Sequence, residues 1–131
     1  MILTSYIFKE IKKLLDAENI TNYLYLAPEE AAYPFVTYFM VSCSTEYTFS
    51  HVIEDVNIQV SIYDNKRDVS DIIAIANDIE TAFEEFNSND GSNYIICTHK
   101  EQEGGPKYDN KEHYWTHIIE FNFKSQRSKT T

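Results

Sequence analysis

Apolar positions recur at helical spacing near the start of the chain. One side of a helix over residues 4–17 would carry Leu3, Ile7, Ile11, Leu14 and Leu15. The opposite side would carry Lys9, Glu10, Lys12 and Lys13. This spacing predicts an amphipathic helix. Thr4 or Ser5 is expected to cap its start, and Asn19 lies near its expected end.

Three strand candidates follow this helix. Residues 22–26 form a short one, which ends at Ala27-Pro28. Residues 35–44 are apolar on both faces, which indicates a central strand that is covered on both sides. Residues 56–62 alternate between apolar and polar, which predicts one buried and one solvated face in an antiparallel sheet. The polar segment 45–53 is expected to be an irregular extension.

A second helix is predicted over residues 68–87. Its apolar stripe consists of Val69, Ile72, Ile73, Ala76, Ile79, Phe83 and Phe86. Asp68 and Asp71 suit the positive N-terminal end of the helix dipole. The polar run at residues 87–93 then predicts a break.

The last two strands are predicted at residues 94–103 and 112–124, joined by a long mobile hairpin tip at 104–111. The polar residues 125–131 are expected to be a frayed tail. The predicted order is α-β-β-β-α-β-β. We therefore expect a single α+β domain over residues 1–124. Its antiparallel or mixed sheet would have about four to five strands, with both helices on one face.

Charge narrows the range of partners. The 131 residues include 11 Lys and Arg and 21 Asp and Glu, a formal net charge of −10. General nucleic-acid binding needs a basic face, and an anionic membrane surface would repel such a domain. Neither a membrane span nor a signal peptide is predicted. Cys43 and Cys97 are expected to be reduced, buried thiols, although one disulfide is possible.

The sequence contains no common catalytic or metal-binding motif, so we expect no enzyme activity, no metal and no cofactor. His113 and His117 lie four residues apart on a predicted strand. That spacing separates them by roughly 13 Å, too far for one metal ion. Ordinary sheet histidines are the preferred interpretation.

Residues 64–90 are strongly acidic, with eight carboxylates and two basic groups. A solvated helix face explains this pattern well. The alternative is an acidic surface that contacts a partner or lines a channel and repels DNA phosphates. The candidate residues for this surface are Asp71, Asp78, Glu80, Glu84 and Glu85.

Aromatic residues are numerous, with ten tyrosines and eight phenylalanines. Core filling accounts for most of them. An oligomer interface is the alternative, because aromatic side chains are enriched at protein–protein contacts.

Two stretches resemble a known family. The first is Ala27–Tyr38 (APEEAAYPFVTY), and the second is Asn57–Asp64 (NIQVSIYD). The second leads through a polar turn into a helix whose apolar positions are Ile72, Ile75, Ala76, Ile79, Ala82 and Phe83. Together with the element order over residues 5–123, they are similar to the tail completion proteins of long-tailed bacteriophages, also called tail terminator or head–tail joining proteins.

The resemblance implies a small α+β subunit of the virion that assembles into a hexameric ring. Such a ring ends the tail tube and docks onto the head connector, and DNA passes through its lumen without specific binding. The subunit would be made in the host cytoplasm and would need no cofactor. A neighbouring neck subunit of similar fold fits the same residues.

Two irregular extensions are then the expected contacts with neighbouring subunits or rings. Their candidate residues are Tyr47, Phe49, Lys107 and Tyr108. A different interpretation also remains open, in which the chain is a stand-alone acidic binding or adaptor module from a mobile element.

Overall fold

The computed structural model describes residues 4–89 and 91–128. Leu3, Asp90 and the tail residues 129–131, for which we made predictions above, lie outside these ranges, as do the side chains of the two proposed caps, Thr4 and Ser5. The elements are α1 (Thr4–Ala17), β1 (Asn22–Leu24), β2 (Phe35–Tyr47), β3 (His51–Asp64), α2 (Ser70–Glu84), β4 (Asn87–Asn89), β5 (Asn93–Asp109) and β6 (Tyr114–Ser128).

The strands form one mixed sheet of six in the order β1-β2-β3-β6-β5-β4. β1 runs parallel to β2, and the other neighbours are antiparallel. The α+β class is therefore confirmed, and the described sheet has one strand more than the upper end of the expected four to five. The additional strand, β4, lies in the polar run predicted as a break and pairs with Tyr94–Ile96.

Both helices cover the same face of the sheet. α1 buries Ile7, Ile11 and Leu15 there, as its spacing predicted. α2 buries Ile72, Ala76, Ile79 and Phe83 in the same core. The sheet contributes alternate residues of its two central strands, such as Ile58 and its partner Phe121. Alternation places these side chains on one face, because successive strand residues point to opposite sides.

β2 corrects one expectation. Its apolar sequence indicated a central strand covered on both sides, yet the centre of the sheet is β3 and β6. β1 pairs with only three residues of β2, Val36–Tyr38. Val41, further along β2, is 47% exposed. Val41 therefore faces away from the core, whereas Met40 and Cys43 beside it pack against the core.

The strands also extend further than predicted. β2 and β3 continue through most of the segment expected to be irregular, and only residues 48–50 form the turn. β5 continues to Asp109, so the tip is confined to residues 110–113. β6 includes residues 125–128, which we expected to be frayed, and Ser125 is buried. Hydrophobic alternation misses these ends because much of their length is exposed on both faces.

α2 is shorter at both ends than its apolar stripe predicted. Asp68 lies before the helix and accepts hydrogen bonds from the Ser70 backbone N–H at 3.1 Å and hydroxyl at 2.7 Å. It therefore satisfies one of the free N–H groups of the first turn, the role expected of an N-terminal carboxylate. Neither described helix combines the length and hydrophobicity needed to cross a bilayer.

Candidate interaction surfaces

The β2–β3 turn displays a fully exposed phenylalanine. The Thr48 N–H donates to the His51 carbonyl at 2.9 Å, and the Thr48 hydroxyl accepts from the His51 N–H at 3.0 Å. These bonds close the turn tightly. Phe49 is 100% exposed at its apex and Tyr47 is 70% exposed beside it. An apolar ring presented on a fixed turn is suited to insertion into a partner.

The β5–β6 turn forms the second tip. Asp109 Oδ1 accepts from the backbone N–H groups of Lys111 and Glu112, each at 2.9 Å. Tyr108 is 42% exposed and packs edge-on against Trp115, with ring centroids 5.1 Å apart. Lys107 is exposed beside it.

The two tips lie at opposite ends of the sheet. Tyr47 pairs with Val52, which lies opposite Arg127, whereas Tyr108 pairs with Trp115. Those two β6 partners are twelve residues apart, roughly 40 Å along a strand. The candidate contact residues therefore form two separate surfaces.

Two of the five candidate acidic residues form ion pairs within the described part of the chain. Asp71 forms an ion pair with Lys66, and Glu80 Oε1 lies 2.5 Å from Lys100 Nζ. Asp78, Glu84 and Glu85 are exposed. Glu80 and Glu84 also line a cavity of about 310 Å³, together with Cys97, Thr98, His99, Lys100 and Phe121.

A chain of charged side chains links α2 to the sheet, which the sequence did not indicate. Lys100 Nζ lies 2.9 Å from Glu103 Oε1, and Glu103 Oε2 lies 2.6 Å from His117 Nε2. The bond from Lys100, reinforced by His117, lowers the pKa of Glu103 below its ordinary value. Bonds to Glu80 and Glu103 raise the pKa of Lys100. The arrangement joins a helix to two strands and is suited to fixing their positions.

Burial raises the pKa of the Cys97 thiol to about 11. Burial and the carboxylate of Glu54, which accepts from Cys43 Sγ at 3.4 Å, raise the pKa of Cys43. Both thiols are free. A raised pKa disfavours the thiolate, so neither cysteine is tuned as a nucleophile.

The face of the sheet without helices carries a cluster of amide and hydroxyl groups. Buried Asn122 donates to Asn57 Oδ1 at 2.8 Å and to the Asp55 carboxylate. Its own Oδ1 accepts from the Thr98 hydroxyl at 2.5 Å. Asn57 in turn donates to Ser42 at 3.1 Å. These bonds connect four neighbouring strands across a polar surface.

Aromatic rings lie on the same face of the sheet, near the start of β2. Phe35 stacks on Tyr63 with centroids 5.0 Å apart, and Tyr63 meets Tyr114 at 5.6 Å. Tyr33 and Tyr23 add rings at 5.2 and 6.0 Å from Phe35. Much of the aromatic surplus is therefore used within this chain, between strands.

An open cleft lies between α1 and β1. It measures about 570 Å³ and is lined by Phe8, Lys9, Lys12, Asn22, Tyr23, Leu24 and Tyr38. Tyr25 follows β1 with a positive φ of 67°, and its N–H donates to the Tyr38 carbonyl at 2.9 Å. The chain therefore turns sharply here and leaves Leu24 45% and Leu26 85% exposed.

Among residues 4–89 and 91–128, no three His, Cys, Asp or Glu side chains come together in a way that could hold a metal ion. His113, proposed as a strand residue, lies instead in the β5–β6 turn with a positive φ of 61°.

No protein-family model matches the chain, and no curated protein is significantly similar to it.

Proposed function

We propose that this protein is a structural subunit of a long-tailed phage tail, a tail terminator that ends the tail tube and joins it to the head connector. The single observation that carries the proposal is the meeting of the two resembling stretches in the fold. Phe35–Tyr38, at the end of the first stretch, pairs directly with Val60–Tyr63 of the second. The likeness therefore falls on one contiguous unit and not on two scattered segments.

Two surfaces support an assembled subunit. The tips at Phe49 and Tyr108 present aromatic side chains at opposite ends of the sheet. In addition, no described strand continues the sheet beyond β2 past Tyr38, or beyond β5 past Ile96. An exposed strand edge is a template for pairing with another chain, and exposed apolar patches mark interaction sites.

The acidic residues on α2 and directly after it have a place in the same proposal. Asp78, Glu84 and Glu85 are exposed and carry the charge that a lumen passing DNA without retaining it requires. The ring would be a homo-oligomer, with six subunits as the expected number from the resemblance. It would contact the tail tube protein on one side and a connector or neck protein on the other.

Electron microscopy of tail tubes from the same phage genome, mixed with the purified protein, tests this function. We expect density at one end of each tube and a tube length that no longer grows. Attachment to head connectors with uncapped tubes would assign the protein to the neck instead. Binding to neither would overturn the proposal and leave the stand-alone binding module.

A matched pair of variants tests which tip contacts the tube or connector. Tyr108→Asp places a charge on the β5–β6 tip, and Tyr94→Asp places one on the same strand near its other end. The two tyrosines are 42% and 39% exposed, so the substitutions are alike in solvation. We expect only Tyr108→Asp to reduce attachment in the micrographs.

A further inference from the structure

We propose that Phe49 of one subunit inserts into the cleft between α1 and β1 of a second copy of this chain. The inference deepens the proposed function and rests on it for its biological setting, since it names the contact that would join ring neighbours. The chain carries both parts of this contact, a projecting aromatic residue and an apolar cleft.

The two surfaces differ in shape, since one is a projecting ring and the other is a cleft. Phe49 is fully exposed on a turn held by hydrogen bonds between Thr48 and His51. The cleft is lined by aromatic and aliphatic side chains, mainly Phe8, Leu24 and Tyr38. Burying one phenylalanine in an apolar pocket is the kind of contact that forms the energetic centre of many interfaces.

The charged residues around the cleft differ in sign from those of the β2–β3 arm. Among the described residues that line the cleft, the charged ones are Lys9 and Lys12, although the whole chain has a net charge of −10. Within the described residues Lys9 has no ion-pair partner, and Lys12 has a 3.5 Å contact with exposed Asp16. The β2–β3 arm, residues 41–55, has no lysine or arginine. Of its three carboxylates Glu46 is exposed, whereas Asp55 is half-buried and Glu54 is buried. In the proposed contact a basic rim therefore meets an arm that exposes the carboxylate of Glu46.

Phe49 and the cleft are far apart within one molecule. The cleft borders Tyr38, and Tyr47 lies nine residues further along the same strand, with Phe49 beyond it. Nine strand residues span roughly 30 Å. A subunit cannot fill its own cleft, so the occupant is another copy. Because the two patches differ, the contact is heterologous and generates a ring when its rotation closes.

Disulfide trapping tests this contact even if free subunits associate weakly. One protein sample carries Phe49→Cys, and a second sample, distinguished by a tag that changes its size, carries Leu24→Cys. In both samples Cys43 and Cys97 are changed to Ser. The control replaces Leu24→Cys by Ile73→Cys, on α2. Leu24 and Ile73 are 45% and 46% exposed, which equalises their access to oxidant.

The disulfide-linked dimer of one tagged and one untagged chain is the measured product. We expect it to form at least about tenfold faster between Cys at positions 49 and 24 than between Cys at positions 49 and 73. Adding Lys9→Glu and Lys12→Glu to the Leu24→Cys chain should slow the formation of this disulfide. Adding Glu46→Lys to the Phe49→Cys chain should then restore part of the rate. Equal rates for the two pairs would overturn the proposed contact.

A second readout separates this contact from the tail function. A chain carrying both Phe49→Cys and Leu24→Cys should give a ladder of oxidised products that ends at the ring size. If trapping fails while wild-type protein still caps tubes, the contact is wrong and the terminator function stands. If the ladder forms but tubes stay uncapped, the protein assembles through this contact and the terminator function is wrong.

Discussion

His117 Nε2 lies 2.6 Å from Glu103 Oε2, and the histidine side chain is only 6% exposed. A carboxylate only accepts hydrogen bonds, so Nε2 carries the hydrogen and Nδ1 of a neutral ring is left as an acceptor. That Nδ1 is buried and has no hydrogen-bond partner in the described part of the chain. Glu103 thus fixes the orientation of a buried ring, while Lys100 and Glu80 connect the same carboxylate to α2.

Glu103→Gln should reduce the free energy of unfolding at pH 7 by about 1 kcal/mol, because it removes a charge-assisted acceptor. The pKa of Glu103 is lowered from its ordinary value of 4.5 in the folded protein. Its contribution is therefore present above pH 4.5 and lost as the pH falls through the folded pKa. Urea unfolding at several pH values should show the difference from wild type disappearing below pH 4.5.

The matched control for this change is Glu112→Gln, at an exposed position in the β5–β6 turn. It should leave stability within about 0.5 kcal/mol of wild type at every pH. A destabilisation of Glu103→Gln that persisted undiminished in acid would show that packing, and not the charge, makes its contribution.

The ion pair between α2 and β5 gives a second prediction. Glu80→Lys would place two ammonium groups together where Glu80 and Lys100 now lie 2.5 Å apart. Because both side chains are about one-third exposed, we expect a loss of about 0.5–1 kcal/mol and an intact, cooperative fold. The double change Glu80→Lys with Lys100→Glu should recover part of that loss in chemical denaturation.

Glu84→Lys is the control on the same helix. Glu84 is exposed, and its reversal should change stability by less than about 0.5 kcal/mol. Loss of cooperative unfolding in Glu84→Lys would mean that this position is packed and does not belong to a solvated or lumenal surface.

The sequence predicted those elements whose one face is buried. α1 is confirmed over its described residues, and the buried face at Val56–Ile62 was placed correctly because each apolar position there meets the core. Ser61, on the face expected to be solvated, is buried as well. The polar ends of β2 and β5 were not predicted, because their side chains are exposed and no periodicity is imposed on them. β4 was missed for the same reason, since its three residues are polar and held by backbone pairing with Tyr94–Ile96.

The candidate surfaces show a similar division. Phe49 could be nominated from sequence because an aromatic residue in a polar turn is unusual. The cleft could not, since Phe8 and Tyr38 lie thirty residues apart and meet only when α1 packs beside β2. Likewise, no local pattern pairs Glu80 with Lys100. Such contacts depend on tertiary packing.

Phe83 provides the third prediction, on the core. It is fully buried on α2, with its ring 4.6 Å from that of Phe121 and 5.7 Å from that of Phe123. Phe83→Ala should therefore reduce the free energy of unfolding by about 3–5 kcal/mol, through lost transfer energy and a residual cavity. Ile73→Ala, on the exposed side of the same helix, should cost less than about 1 kcal/mol. Similar losses for the two variants would contradict the orientation of α2.

The fourth prediction concerns Cys97, whose thiol pKa burial raises from 9.0 to about 11. At pH 8 its thiolate fraction is about 100-fold below that of an ordinary thiol, since each pKa unit is a factor of ten. In Cys43→Ser protein, iodoacetamide should therefore modify Cys97 slowly at pH 8 and about tenfold faster at pH 9. The raised pKa also means that this thiol stabilises the fold below pH 9, and that this contribution is lost as the pH rises towards 11.

Ser50→Cys in the double Cys43→Ser and Cys97→Ser background, which places a thiol in the exposed β2–β3 turn, serves as the reference. Equal alkylation rates for the two thiols, measured by mass spectrometry of the intact protein, would show that Cys97 is not shielded by the sheet and α2.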